Sequence, residues 1–411
     1  MKAVVMASSG RLTAGEARWH TAAQILTWVR AHPGGTRAEL TQDLRLNSGL
    51  ATEITARLRA MRLLEETPAP RATGQRGRPT TVLGAHPEGP VLLAVDLRTA
   101  EWRSAVVTLD GQLTETASVR HGSRSPRAVL AAIRGRVDAV LRAYGNRVRG
   151  VSLAVAGTVH EGRLVQSATL GWRDVDLGLV AGDVPLLLGN DATLAGVAEA
   201  RTGASVGAST ALHLMVVVGI GGTVTVDGRP ATGSHGAAGE YGHQPYGDRS
   251  LICPCGARGC WDLEVDGRAL ARHLGVAEPQ DPAAFLRDHL GGGAAVAAGD
   301  AVAAGPADAA GPAVARVAAA LGGGVGALVN VHDPATVTLG GLAPLLRRAA
   351  PDAFEQAYLD GLMAFHKGRP PAVVDAVHGD DGPLQGAAVL GLDEITSEAA
   401  LAAWATLPLP Q

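Results

Sequence analysis

The sequence predicts an α/β protein in two parts, a small helical head and a larger body in which strands and helices alternate. Three observations lead there. Apolar residues recur at helical spacing as far as Leu58, and strand-like runs begin only at Val91. A stretch rich in proline, glycine and arginine, Pro68 to Pro79, lies between the two patterns. Charge divides at the same place: residues 1–90 carry 12 Lys/Arg against 7 Asp/Glu, and the rest of the chain 24 against 32. A basic head on an acidic body implies a polyanionic partner for the head alone.

The head reads as three helices and the start of a hairpin. Ala22, Ile25, Leu26 and Val29 share one face of a helix from Arg18 to Arg30, which ends at His32-Pro33-Gly34-Gly35. Thr36 with Glu39 three residues on is a capping box, and it opens a short helix from Arg37 to Leu44. Asn47 or Ser48 caps a third helix carrying Leu50, Ile54 and Leu58, and Leu63 to Thr67 starts a wing. That order is the outline of a winged helix-turn-helix over residues 1–67, with a linker over 68–89. On the third helix Ser48, Thr52 and Thr55 suit contacts to phosphates or base edges of double-stranded DNA. Glu53 suits a cytosine amine or plain solvent, and Arg57 completes the basic end. Arg76 and Arg78, on Arg-Gly-Arg-Pro, read either as a minor-groove hook or as a solvated linker.

Past the linker the pattern changes. Val91 to Val95, Trp102 to Leu109 and Val151 to Val155 read as strands, Leu130 to Tyr144 as a helix, and Val314 to Val329 as a helix before a strand Ala335–Leu339. A Gly/Ala/Pro stretch over 291–312 reads as a surface loop or frayed helix end. Hydrophobic residues make up 46% of the chain and charged residues 18%, a globular balance. No unbroken apolar run of about 18 residues occurs, so no membrane span is expected. The first residues hold too short an apolar stretch for a signal core, and a cytoplasmic protein is expected.

The strongest chemical signal is His243 followed by Cys253, Cys255 and Cys260. All three cysteines of the chain fall in one glycine-rich loop. One imidazole and three thiolates suit a closed, structural Zn²⁺, with no open coordination position for catalysis.

Around this loop the chain resembles the ROK family of repressors and sugar kinases. The resemblance rests on Gly236-Ala-Ala-Gly239-Glu240-Tyr-Gly242-His243, on the cysteine loop with Trp261-Asp262-Leu263-Glu264, and on Leu170-Gly171-Trp172, Gly189-Asn190-Asp191-Ala192 and Ala198-Glu199. It implies an actin/hexokinase-like (ribonuclease H-like) body of two α/β lobes, residues 90–193 and 194–411, with the last strand and helix free to return to the first lobe. It also implies a monosaccharide or derivative bound by Asn190, Asp191, Glu240, His243 and Glu264, with Asp191 at the position of the kinases' base. Carboxylates and amides take vicinal hydroxyls in pairs, which is the chemistry that set offers.

The glycine turns of the kinases are altered here. Their Asp-x-Gly-Gly-Thr turn reads Asp96-Leu97-Arg98-Thr99-Ala100, so both glycines are missing where backbone N–H groups would approach phosphate. A second glycine run reads Val217-Val218-Gly219-Ile220-Gly221-Gly222, a Pro-Gly pair reads Ala156-Gly157, and Leu339-Gly340-Gly341 is intact. The expectation is therefore a non-enzymatic regulator, a homodimer or homotetramer on an inverted-repeat operator, with zinc as its cofactor. Two alternatives remain: a sugar kinase with a fused head, and a regulator controlled by a protein partner.

Overall fold

The computed structural model describes residues 14–69, 81–291 and 307–407. Its head comprises α1 (Ala14–Ala31), α2 (Arg37–Asp43), α3 (Ser48–Ala60), β1 (Leu64–Pro68) and β2 (Thr81–Ala85). The first body sheet is built from β3 (Val91–Leu97), β4 (Glu101–Val107), β5 (Leu113–Arg120), β6 (Val148–Val155) and β10 (Leu186–Asn190), with α4 (Pro126–Tyr144) between β5 and β6. A small three-stranded sheet, β7 (Thr158–His160), β8 (Arg163–Ser167) and β9 (Trp172–Asp176), leads to β10. Helix α5 (Asp191–Thr202) opens the second half. There β11 (Thr210–Val217), β12 (Gly219–Val226), β13 (Arg229–Pro230), β14 (Thr336–Gly341) and β15 (Ala372–Asp375) form the second sheet. Around it lie α6 (Asp262–Val265), α7 (Gly267–Leu274), α8 (Pro282–Leu290), α9 (Ala307–His332), α10 (Ala343–Ala349), α11 (Pro351–Gly361) and α12 (Ala364–Lys367). The chain closes with α13 (Gly382–Ile395) and α14 (Glu398–Trp404).

The two body sheets repeat one plan. Their strand orders are β10-β6-β3-β4-β5 and β15-β14-β11-β12-β13, and in both the first-in-sequence strand is central. In both, the early hairpin strands run antiparallel and the two later strands parallel. Parallel strands buried on both faces read as unbroken apolar runs, and β3 is buried throughout. Its alternation sorts the two cores: Val91, Leu93, Val95 and Leu97 join the α4 side, while Leu92 and Ala94 join the α13 side. Helix α13 thus belongs to the first sheet although it follows the last strand of the second. Gly386 lets α13 cross α5 closely, since a Cβ there would stand 2.0 Å from the Leu194 carbonyl oxygen. Helix α9 is, among the described residues, the one helix long and apolar enough to cross a membrane; Val317, Leu321 and Val325 bury it in the second-sheet core instead.

Local chemistry fixes the head. Thr36 Oγ1 accepts from Glu39 N–H at 3.3 Å while Glu39 Oε2 accepts from Thr36 N–H at 2.7 Å. Asn47, not Ser48, caps α3 by accepting from Leu50 N–H at 2.7 Å. Strand β2 pairs antiparallel with β1, so the expected linker over 68–89 holds the second strand of the hairpin. Five residues are too few for strand periodicity to stand out beside the proline- and arginine-rich segment before them. Arg76 and Arg78 lie outside the described residues.

The head is docked, not tethered. Ile25, Leu26, Val29, Leu58 and Leu63 form one apolar cluster with Leu92, Ala387, Leu392, Leu401 and Trp404 of the body. Trp404 Nε1–H donates to the Met61 carbonyl at 2.9 Å, and His20 meets Glu398 at 2.9 Å.

Candidate ligand cavity and metal centre

A cavity of about 350 Å³ opens where the two sheets approach each other. The β7–β9 sheet supplies Ser167, Thr169 and Trp172; the junction of β10 and α5 supplies Asn190 and Asp191. The β11–β12 hairpin supplies Gly219 to Gly221, the loop before α6 supplies Glu240 and His243, and α6 opens with Asp262. The strand-to-helix junction is set by Asn190, which caps α5. Its Oδ1 accepts from Thr193 N–H at 2.9 Å and its Nδ2 donates to the Gly157 carbonyl at 3.1 Å. The next residue, Asp191, accepts from Ala192 N–H at 2.9 Å. Burial pushes its carboxyl up from 3.8 to about 7, with Asp96 and Glu240 adding like charge.

Glu240 accepts from Thr158 Oγ1 at 2.9 Å and lies 3.8 Å from His243 Nε2. Asp262 accepts from Ile220 N–H at 2.6 Å and lies 3.7 Å from His243 Nδ1. Burial raises its carboxyl as well. Two glycines make room for it. A Cβ on Gly242 would stand 1.7 Å from Asp262 Oδ1, and one on Gly219, at φ +89°, would stand 2.7 Å from Oδ2.

Four of the five expected ligand-binding residues, Asn190, Asp191, Glu240 and His243, therefore line one cavity. Glu264 does not. Its Oε1 accepts from Asp248 N–H at 3.0 Å and its Oε2 lies 3.6 Å from Arg272, where it braces the loop. The one-turn helix α6 explains the correction, because Asp262 and Glu264 are about 200° apart on a helix and only one of them can face the cavity. Reading Trp-Asp-Leu-Glu as a block concealed that choice.

The metal candidates converge. One ligand atom from each of His243, Cys253, Cys255 and Cys260 lies within 4.8 Å of every other. Cys253 Sγ is 3.8 Å from His243 Nδ1, and Cys255 Sγ is 3.6 Å from Cys260 Sγ. A tetrahedron with metal–sulfur bonds near 2.3 Å has edges of about 3.8 Å, so the set fits one ion. Burial pushes the Cys260 thiol up to about 12, so a thiolate there needs a cation beside it. Gly256 at φ +95° and Gly259 at φ +71° bend the loop around that point.

On the head, the expected DNA-contacting residues divide. Thr55 is fully buried and donates to the Ala51 carbonyl at 2.7 Å, so it is a core residue of α3. Glu53 lies 3.6 Å from Arg18, and the Arg57 guanidinium sits 4.3 Å above the Trp19 ring, so both face α1. Ser48 and Thr52 are exposed. Arg45, in the turn before α3 at φ +50°, is exposed as well.

The ROK family model matches residues 92–394. A curated glucokinase of Streptomyces coelicolor is 27% identical over 186 residues, 44% of this chain and 58% of that protein. A xylose repressor of Bacillus subtilis is 29% identical over 133 residues, 31% of this chain and 35% of that protein. The chain thus matches less than two thirds of either relative's length. Among solved structures, a ROK family transcriptional regulator described as a homolog of the E. coli MLC protein superposes with a TM-score of 0.71. It is 19% identical and covers 95% of this chain and 99% of its own, a likeness of fold that includes the head.

Proposed function

The chain belongs to the ROK family, and on that premise we propose that it is a DNA-binding transcriptional regulator whose body binds a sugar or sugar derivative as effector. The observation that carries this reading is the head of three helices and a hairpin, docked by a continuous apolar cluster onto the body that holds the cavity. A kinase needs no such head. A regulator needs it joined firmly enough for effector binding to be felt at the DNA.

In this reading Asn190, Asp191, Glu240, His243 and Asp262 take the hydroxyls of the effector. His243, Cys253, Cys255 and Cys260 hold a structural Zn²⁺, which fixes the loop and leaves His243 Nε2 facing the cavity. The xylose repressor and glucokinase relatives point to a pentose or hexose. Ser48, Thr52 and Arg45 face DNA, Arg76 and Arg78 extend to the minor groove, and two heads of a dimer read an inverted repeat. A second reading, sugar phosphorylation, has one observation behind it: an Asp191 carboxyl at about 7 is poised as a general base. Against it, Arg98 and Thr99 stand where the glycines of the kinases' turn would bring backbone N–H groups to phosphate.

Incubating the purified protein with sugars and ATP tests between the two. Turnover of any common hexose or pentose supports the kinase. Sugar binding without turnover, together with selection of an inverted repeat from random DNA, supports the regulator.

A further inference from the structure

Two arginines beside the cavity are held in an unusual way. Arg98 Nε–H donates to Asp96 Oδ2 at 2.5 Å, and its Nη1–H donates to Asp380 Oδ2 at 2.8 Å. Its Nη2–H donates to the Asp380 carbonyl. Arg103 reaches the Asp380 carboxylate at 3.3 Å and pairs with Asp381 through its other amine. The burial of these partners is unequal. The Arg98 and Arg103 side chains are 24% and 22% exposed and Asp96 only 1%, whereas Asp380 and Asp381 are 75% and 54% exposed. Arg98 is fixed from beneath by buried Asp96, Arg103 stands on the neighbouring strand β4, and the anions on top are surface groups of the turn before α13. Thr99, next to Arg98, lines the cavity, and Asp96 lies near enough to act on Asp191.

We propose that Arg98 and Arg103 form an anion subsite of the cavity, filled in this structure by Asp380 and Asp381, and that the phosphate of a phosphorylated sugar takes it by displacing those carboxylates. The assignment of a sugar rests on the function proposed above; the anion subsite does not. Two guanidinium forks match a phosphate bidentately, and a phosphate dianion replaces two carboxylates without changing the local charge. Asp96 keeps Arg98 in place during the exchange. Displacement frees the N-terminal end of α13. That helix carries Asp393, which pairs with Arg201 of α5 at 2.8 Å and with Arg30 of the head at 3.5 Å. The subsite therefore lies on a direct mechanical route to the DNA-binding head.

Calorimetry on the full chain with inorganic phosphate as probe tests the subsite without any sugar. Asp380→Asn combined with Asp381→Asn should bind phosphate at least about ten-fold tighter than the parent. Adding Arg103→Gln, or separately Arg98→Gln, should abolish that gain; the Arg103 variant leaves Asp96 paired and so keeps the fold. Equal phosphate affinity in parent and double variant overturns the proposal. A panel of pentose and hexose phosphates beside the parent sugars assigns the source: tighter binding of a phosphorylated member supports it. Preference for ATP with magnesium over every sugar phosphate overturns the effector assignment. Phosphate binding with no sugar binding would leave the subsite standing and defeat the sugar reading instead.

Discussion

At the scale of single residues, Asp191 is the most informative. Its carboxyl stands above its ordinary value, so ionising it opposes the fold as pH rises from the usual carboxylate range to about 7, and the cost is constant above that. A ligand that donates hydroxyls to Asp191 favours the ionised form. Effector affinity should therefore rise with pH up to about 7 and level off, with proton release on binding below that point. Isothermal calorimetry in buffers of different ionisation enthalpy measures both. Asp191→Asn should remove the pH dependence and lower affinity about ten-fold or more, since a charge-assisted hydrogen bond contributes about 1.5–3 kcal/mol. The pair Asp262 and Glu264 separates cavity from scaffold. Asp262→Asn should weaken the sugar by about ten-fold, and Glu264→Gln should leave affinity nearly unchanged while lowering the melting temperature. Equal losses in both would return Glu264 to the site. The sequence singled out Glu264, whereas Asp262 of the same segment is the carboxylate that lines the cavity, because a one-turn helix exposes a choice of face that spacing alone does not make. Thr55 was misjudged for the same reason: its place on α3 fitted base contact, and its side chain turned inward.

At the scale of elements, the convergence of His243 with Cys253, Cys255 and Cys260 was legible, since one histidine and three cysteines so close in a glycine-rich segment can meet at one point. One Zn²⁺ per chain is expected by metal analysis, and chelation should lower both the melting temperature and sugar affinity, because His243 belongs to both sets. Loss of zinc without change in sugar binding would detach the loop from the cavity. The hairpin's second strand was not legible, being five residues behind a segment of glycine, proline and arginine. Nor was the docking of α14. Trp404 is 3% exposed, packs in the shared cluster and donates to the Met61 carbonyl. Trp404→Ala should cost about 3–5 kcal/mol and split an early unfolding of the head from the main transition. A urea melt of the parent protein in which the head already unfolds early would show that the docking is weaker than its burial implies.

At the scale of the whole molecule, the sequence displays the runs of β3, β4, β6 and β14 but not the matching order of the two sheets, and it left the return of α13 to the first sheet open only through the family resemblance. That return joins the cavity to the head: α5 begins at Asp191, packs along α13, and carries in its last turn Arg201, which shares Asp393 with Arg30. Coupling between effector and DNA is expected to pass through this contact. Asp393→Asn should leave sugar affinity intact and flatten the effect of sugar on DNA binding, a separation that affinity measurements with and without DNA would detect. The most direct test of the central claim is fluorescence anisotropy of the purified protein on a duplex selected from random sequence, titrated with pentoses, hexoses and their phosphates. Specific binding to an inverted repeat, weakening steeply with salt and shifted at least several-fold by one sugar, is the predicted result. Failure to select any sequence, or a selected duplex whose affinity no sugar alters, would contradict it.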